Sequence, residues 1–193
     1  MSVMIDIIGA GIIAGIMLLT IFSLIGTMNE AHFEKTLSTR VQGNILVFAR
    51  ILESDFVKIG YHTKGDAIQY ADSQSIQFKS DLLNDSTIVS VRYSIGGANT
   101  TTVNPNDRYI IREAGGQQTL TANLGVTTFQ LTYFDTLGQE LNVPITTKIR
   151  LDSIKSIRIK IRLESAEPVI NPGSQNHAYQ SVFWSKTIHP RNL

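Results

Sequence analysis

The chain has 193 residues, no cysteine, and 17 Lys plus Arg against 16 Asp plus Glu, a formal net charge of +1. That length holds one compact domain plus an anchoring segment rather than two full domains. The missing cysteines exclude disulfides, thiolate metal sites and a Cys nucleophile, and the near-neutral balance excludes the broad basic field that would recommend nucleic acid as a partner.

From Ile7 to Asn29, 23 consecutive residues carry no formal charge and are rich in Ile, Leu, Gly and Ala. At about 1.5 Å rise per residue, a helix of that length reaches roughly 30 Å, the thickness of a bilayer hydrocarbon core. A cleaved secretory signal would want a basic leader region, a shorter apolar run and a small-x-small ending. Here no Lys or Arg precedes Lys35, and the run closes Ile25-Gly26-Thr27-Met28-Asn29, so the segment is expected to remain as an anchor. Beyond it, Phe33, Leu37, Val41, Ile45, Phe48, Leu52, Phe56 and Ile59 recur at steps of three or four, with Glu34, Lys35, Arg40, Gln42, Asn44, Arg50, Glu53 and Lys58 between them. This is the periodicity of an amphipathic helix. No proline occurs before Pro105, and Gly60-Tyr61-His62 is the first stop signal, which predicts one helix from about Ser2 to Ile59. Residues 1–29 form its transmembrane half, 30–60 its amphipathic half, and 61–193 a β-rich extracytoplasmic domain.

In that last region the period becomes two. Strands are predicted at Ile76–Lys79, Ile88–Tyr93, Arg108–Arg112, Gly125–Phe134, Ser153–Leu163 and Tyr179–Lys186. The clearest alternates Ile157, Ile159, Ile161 and Leu163 with Arg158, Lys160 and Arg162, as a half-buried strand does. Turn chemistry separates them at Leu83–Ser86, Gly96–Asn99, Asn104–Asp107, Gly115-Gly116 and Asp135–Gly138. Short connections favour antiparallel pairing, so the expected fold is α+β, a long N-terminal helix packed on an antiparallel meander.

A helix that is membrane-embedded in its first half and sheet-covering in its second resembles the type IV pilin-like proteins. With Met1 removed the chain starts Ser2-Val3-Met4-Ile5-Asp6, which puts an acidic residue fifth, where pilin-like subunits carry Glu in a Phe-Thr-Leu-Ile-Glu type start. The segment Ile51 to Tyr61 is similar to the helix end of minor pilins and of J-type pseudopilins of type II secretion. Further similarity to these proteins lies in Ile76 to Leu82, in Val126 to Gly138 with its Phe-x-Leu-x-Tyr-Phe-Asp core, and in the closing Pro190-Arg191-Asn192-Leu193. The basic leader ending in Gly that such precursors carry, and the proline common in the middle of their membrane helix, do not stand in this sequence.

The resemblance implies a filament-assembly role and a contact between Asp6 and the N-terminal ammonium of a neighbouring subunit. The competing reading of Asp6 is that it serves its own helix dipole or sits at headgroup level. Gly11 and Gly15, four apart beside Ala14, offer a surface on which another helix could approach, although such spacing is also ordinary span composition. Asp81 to Thr87 faintly suggests a calcium loop but lacks the alternate ligand spacing and the closing Glu, so a turn is expected. His32, His62, His177 and His189 are scattered, without the spacing of a metal motif, and no nucleophile elbow, phosphate loop or dinucleotide fingerprint occurs. Lys155, Arg158, Lys160 and Arg162 read as the solvated face of a strand.

The expected protein is therefore non-catalytic, without cofactor or metal. Its expected partners are other pilin-like subunits, an assembly-platform membrane protein and membrane lipid, and not nucleic acid. It is expected as a single-pass inner-membrane protein with its C-terminal domain outside, an orientation taken from the resemblance, since Lys35 and Arg40 past the span point the other way under the positive-inside rule. The alternative is a stand-alone membrane-anchored ligand-binding β domain. A periplasmic hydrolase is the third reading.

Overall fold

The computed structural model describes residues 2–169 and 178–193, with the backbone alone described for Ser2 and residues 120–123. His177 lies outside the described residues. Contacts divide the chain into two units, Met1–Leu37 and Ser38–Leu193. One helix, α1 (Ser2–Val57), forms the described part of the first unit and opens the second, ending two residues before the sequence expectation.

In the first unit the apolar side chains are exposed, from Val3 through Ile13, Leu19 and Phe22 to Met28. An 18-residue stretch reaches a mean hydropathy of 2.4 with none of it buried. Two of its hydroxyls bond inside the helix. Thr20 Oγ1 donates to the Ile16 and Met17 carbonyls at 3.1 and 2.8 Å, and Thr27 Oγ1 to that of Leu24 at 2.9 Å. A helix that bonds its own hydroxyls can enter a medium without water.

The second unit is a seven-stranded sheet in which every strand lies beside its sequence neighbour and every pair is antiparallel. The strands are β1 (Ile68–Ala71), β2 (Ser75–Ser80), β3 (Val89–Ala98), β4 (Arg108–Ala114), β5 (Gln117–Phe134), β6 (Ser156–Glu164) and β7 (Ser181–Ile188). A short helix, α2 (Lys148–Asp152), precedes β6. The expected alternation holds, since Ile157, Ile159, Ile161 and Leu163 are fully buried and pair with Tyr133, Leu131, Phe129 and Val126. Across this face runs the last part of α1, where Val41, Ile45, Phe48, Leu52 and Phe56 join the same core. Phe56 meets Phe78 of β2 and Tyr93 of β3, each with ring centroids 5.7 Å apart. The connection from β5 to β6 adds Ile145, Leu151 and Ile154.

The structure differs from the sequence expectations at five places in the β region. Gly96 to Ala98 continue β3 rather than turning, and the register slips between Ile95 and Ala98, so the reversal falls at 99–107. Strand β5 starts at Gln117, because Gly115 and Gly116, at φ +58° and +79°, make the tight turn from β4 in which both central residues need positive φ. The segment read as starting a strand at Ser153 is first α2 and a turn, with β6 beginning at Ser156. Strand β1, at four residues, was too short to show a period. The final strand is Ser181–Ile188, two residues further on than expected.

Gly125 sits at φ +76° beside a register shift between Val126 and Thr128, and a Cβ there would collide with the Glu164 carbonyl oxygen of β6. Gly125→Ala should therefore force the strands apart at this point. Truncating Phe56 to Ala should cost about 3 to 5 kcal/mol, as for other fully buried aromatics. Both are measurable by denaturant titration of the full chain in detergent micelles, followed through Trp184, the single tryptophan, which packs against the core. A Phe56→Ala midpoint equal to that of the parent would show that the helix does not cover the sheet.

Candidate functional site

Two surfaces carry chemistry. The first is α1. Asp6 is exposed and lies past the first helical turn, which holds no acidic residue. Gly11 and Gly15 are also exposed, and a Cβ built on either meets nothing within 4 Å. At about 100° per residue, Gly11 and Gly15 share one face of the helix while Asp6 lies well round from both. The structure thus places the three expected contact residues on α1 but on two sides of it.

In the second unit α1 turns Val41, Ile45, Phe48, Leu52 and Phe56 inward. The opposite face was expected to be polar, yet Leu46, Val47 and Ile51 are exposed there, at 60%, 60% and 43%. Sequence reasoning missed them because the stripe at steps of three and four accounted for the apolar residues that a single sheet can cover. The signal was Val47 and Ile51, four apart, with Gly43 four before them.

The second surface is a cleft of about 430 Å³ where the end of α1 meets β3 and β4, lined by Asp55 and Lys58, by Arg112, and by Leu82, Val89 and Ala114. Its floor is a polar knot. Tyr93 Oη donates to Asp55 Oδ2 at 2.5 Å, and Arg112 Nε reaches Asp55 Oδ2 at 2.9 Å and Tyr93 Oη at 3.0 Å. Burial, together with the Asp55 charge, pushes the Tyr93 phenol far above its ordinary value. Burial works against the Arg112 cation, but the hydrogen bonds to Asp55 and Tyr93 and their charges together outweigh it and raise its pKa. Lys58 is fixed by donating to the Leu82 carbonyl at 2.7 Å. The cleft therefore offers two held cations beside an apolar wall. Its volume lies within the range of small-ligand pockets, which run about 300 to 1,000 Å³.

Beside the cleft, the Asp81–Thr87 segment is a turn organised by its own carboxylate. Asp81 is fully buried, and its oxygens accept from Asp85 N at 3.2 Å, Ser86 N at 2.9 Å and His62 Nδ1 at 2.8 Å. Burial alone would raise the Asp81 pKa, but the His62 and backbone donors outweigh it and hold it below the ordinary value. Those oxygens face the loop's own amides, so the segment reads as a structural turn. Among the described residues no group of three or more His, Asp or Glu side chains is placed to hold a metal ion. His32 and His189 are exposed.

No protein-family model matches this chain, and neither a curated protein nor a solved structure matches it.

The pKa shifts fix the pH dependence. Asp81, lowered in the folded state, contributes stability that is complete above its unfolded value near 3.8 and is lost as pH falls through the folded value. Tyr93 and Tyr133, raised by burial, contribute stability that is complete below about pH 10 and is lost as pH rises. Denaturation midpoints should be flat between about pH 5 and 9 and fall on both sides. Asp81→Asn should reduce the acid limb, leaving the share carried by Asp66, and Tyr93→Phe should reduce the alkaline one, leaving the share carried by Tyr133 and Lys148. An acid limb unchanged in Asp81→Asn would remove Asp81 from this account.

Proposed function

We propose that the chain is a non-catalytic assembly subunit of a type IV pilus-like or type II secretion filament, a minor pilin or pseudopilin that inserts through α1. The observation that supports this best is the apolar surface of α1 left uncovered in both units. The large apolar side chains from Val3 to Met28 are exposed in the first, and Leu46, Val47 and Ile51 in the second. Lipid accounts for the first set while the subunit waits in a membrane. The second set lies on the unit that carries the sheet, where a tether alone has no use for apolar side chains, whereas helices gathered into a filament core would bury them.

Asp6 is the residue proposed to direct that gathering. A carboxylate next to a membrane span is costly and is retained for a partner. The macrodipole effect fades within the first turn, and Asp6 lies past it, so helix polarity gives little reason for an acid there. The neighbour's N-terminal ammonium is the proposed counter-ion. The N terminus is assigned to the cytoplasmic side and the sheet to the outside, with other pilin-like subunits and a platform membrane protein as partners.

The cleft beside Arg112 favours a second reading, an anchored domain whose sheet binds a small ligand and whose helix is only a tether. Detergent extraction followed by co-purification separates the two, since only an assembly subunit should bring pilin-like neighbours from its own locus with it.

Truncating one member of a buried ion pair commonly costs about 3 to 5 kcal/mol, so Asp6→Ala should abolish crosslinking to neighbouring subunits in membranes while the sheet domain stays folded. Asp6→Glu keeps the charge and should largely preserve it. Crosslinking by Asp6→Ala at the parent level, with equal expression, would show that the carboxylate does not direct assembly.

A further inference from the structure

The sheet is open, and its two edges are treated differently. At one edge, β1 has four residues, its register shifts between Ile68 and Tyr70, and the connection after β5 closes over it. Ala71 and Ile145 exchange backbone hydrogen bonds there, at 3.2 and 2.7 Å. A short, irregular, covered strand is how proteins keep an edge from pairing with another chain.

At the other edge β7 has none of these protections. It pairs with β6 over eight residues in unbroken register from Ser181 to Ile188, and contains neither proline nor a bulge. Among the described residues, no backbone group outside the β6 pairing bonds to it. Its one charged residue, Lys186, is turned toward α1 and held at 2.6 Å by Glu53, so it does not guard the edge. Phe183 is 62% exposed on the outer face. An edge of this length with an exposed aromatic is a template for strand addition, in which main-chain bonds give affinity and alternate side chains give specificity.

The charge beside the edge states what kind of strand fits. On the outer face Arg158, Lys160 and Arg162 of β6 stand opposite Thr187, Ser185 and Phe183 of β7. The first two of these neighbours are small hydroxyls that leave the basic side chains room to extend across β7. Arg158 bonds Thr187 Oγ1 through Nε at 3.3 Å while its guanidinium carbon lies 4.7 Å from the Phe134 ring centroid on β5, so Lys160 rather than Arg158 is free to extend toward the edge. Arg162 is paired with Glu164, whereas Lys160 has no ion-pair partner among the described residues. β7 itself carries no acid, so a second copy of this strand would not meet that charge.

We infer that the free edge of β7 is a strand-addition site for an extended segment of another protein, one that places carboxylates on the outer face beside Lys160 and Arg158. This rests on the sheet edges and the β6 charges alone, and stands whether or not α1 enters a filament.

The test uses the full chain in micelles of a non-ionic detergent and two octapeptides, one alternating Val with Glu and one alternating Val with Lys, each titrated against the emission of Trp184 in β7. The Glu peptide should bind about tenfold tighter or more, since like-charge juxtaposition penalises the Lys peptide. Lys160→Glu, a surface change, should reverse the preference. Hydrogen exchange on the unaltered chain should slow at β7 amides with the Glu peptide present and stay unchanged at β1. Equal binding of the two peptides, a preference untouched by Lys160→Glu, or protection at another strand would overturn the proposal. So would a concentration-dependent dimer that protects β7 without peptide, because the occupant would then be a second copy.

Discussion

A meander sheet has two faces, and the one constraint on which this domain depends is that something must cover the apolar one. Ile157, Ile159, Ile161, Leu163, Phe129, Leu131 and Tyr133 are all buried on one side of adjacent strands. Most of that cover comes from the last five turns of α1, with Ile145, Leu151 and Ile154 filling the remainder. Each buried side chain of this size contributes about 1.5 to 3 kcal/mol by leaving water. The helix end and the sheet therefore fold as one cooperative body, because neither has a stable alternative for its apolar stripe.

The same packing decides where polarity can enter the core. Asp55 falls within the inward stripe, between Leu52 and Phe56, and a carboxylate there is tolerable only with donors supplied. Tyr93 from β3 and Arg112 from β4 supply them, so the knot fixes the rotation of the helix end against two strands that the sequence separates from it by 38 and 57 residues. Asp81 does the equivalent for the loop after β2, drawing two loop amides and His62 around a buried carboxylate. The first cluster holds Arg112 at the cleft, and the Leu82 carbonyl holds Lys58 there, so both cations are fixed in place.

What the fold leaves uncovered is as ordered as what it covers. The outer face of α1 keeps Leu46, Val47 and Ile51 in solvent, and the β7 edge keeps Phe183 there, while the β1 edge is closed. Single apolar side chains elsewhere, such as Leu83, Val103, Leu137 and Ile149, are exposed as well, and such scattered exposure is ordinary. The helix face and the β7 edge differ from these in geometry, the one gathering three apolar side chains within two turns and the other setting Phe183 beside backbone that no further strand pairs among the described residues.

The sequence by itself determined the elements with a long period. An uncharged run of 23 residues, a stripe at steps of three and four, and the alternation of Ile with Lys and Arg at 157–163 each follow from one-dimensional spacing that only one local geometry can bury. The antiparallel pairing of β2 through β5 followed as well, since the short connections there leave few other pairings. Tertiary structure decided what spacing cannot carry. Gly96 and Gly97 stand within a strand because Gly96 lies under Tyr109 and Ile111 of β4, with side-chain atoms 3.2 Å from where its Cβ would be, and β1 exists because Ile145 and β2 hold it from both sides. The Asp55–Tyr93–Arg112 knot, the inward turn of Lys186 and the unequal protection of the two edges were equally out of reach. Each joins residues far apart in the chain, and such contacts are set by how the helix and strands meet rather than by any local preference.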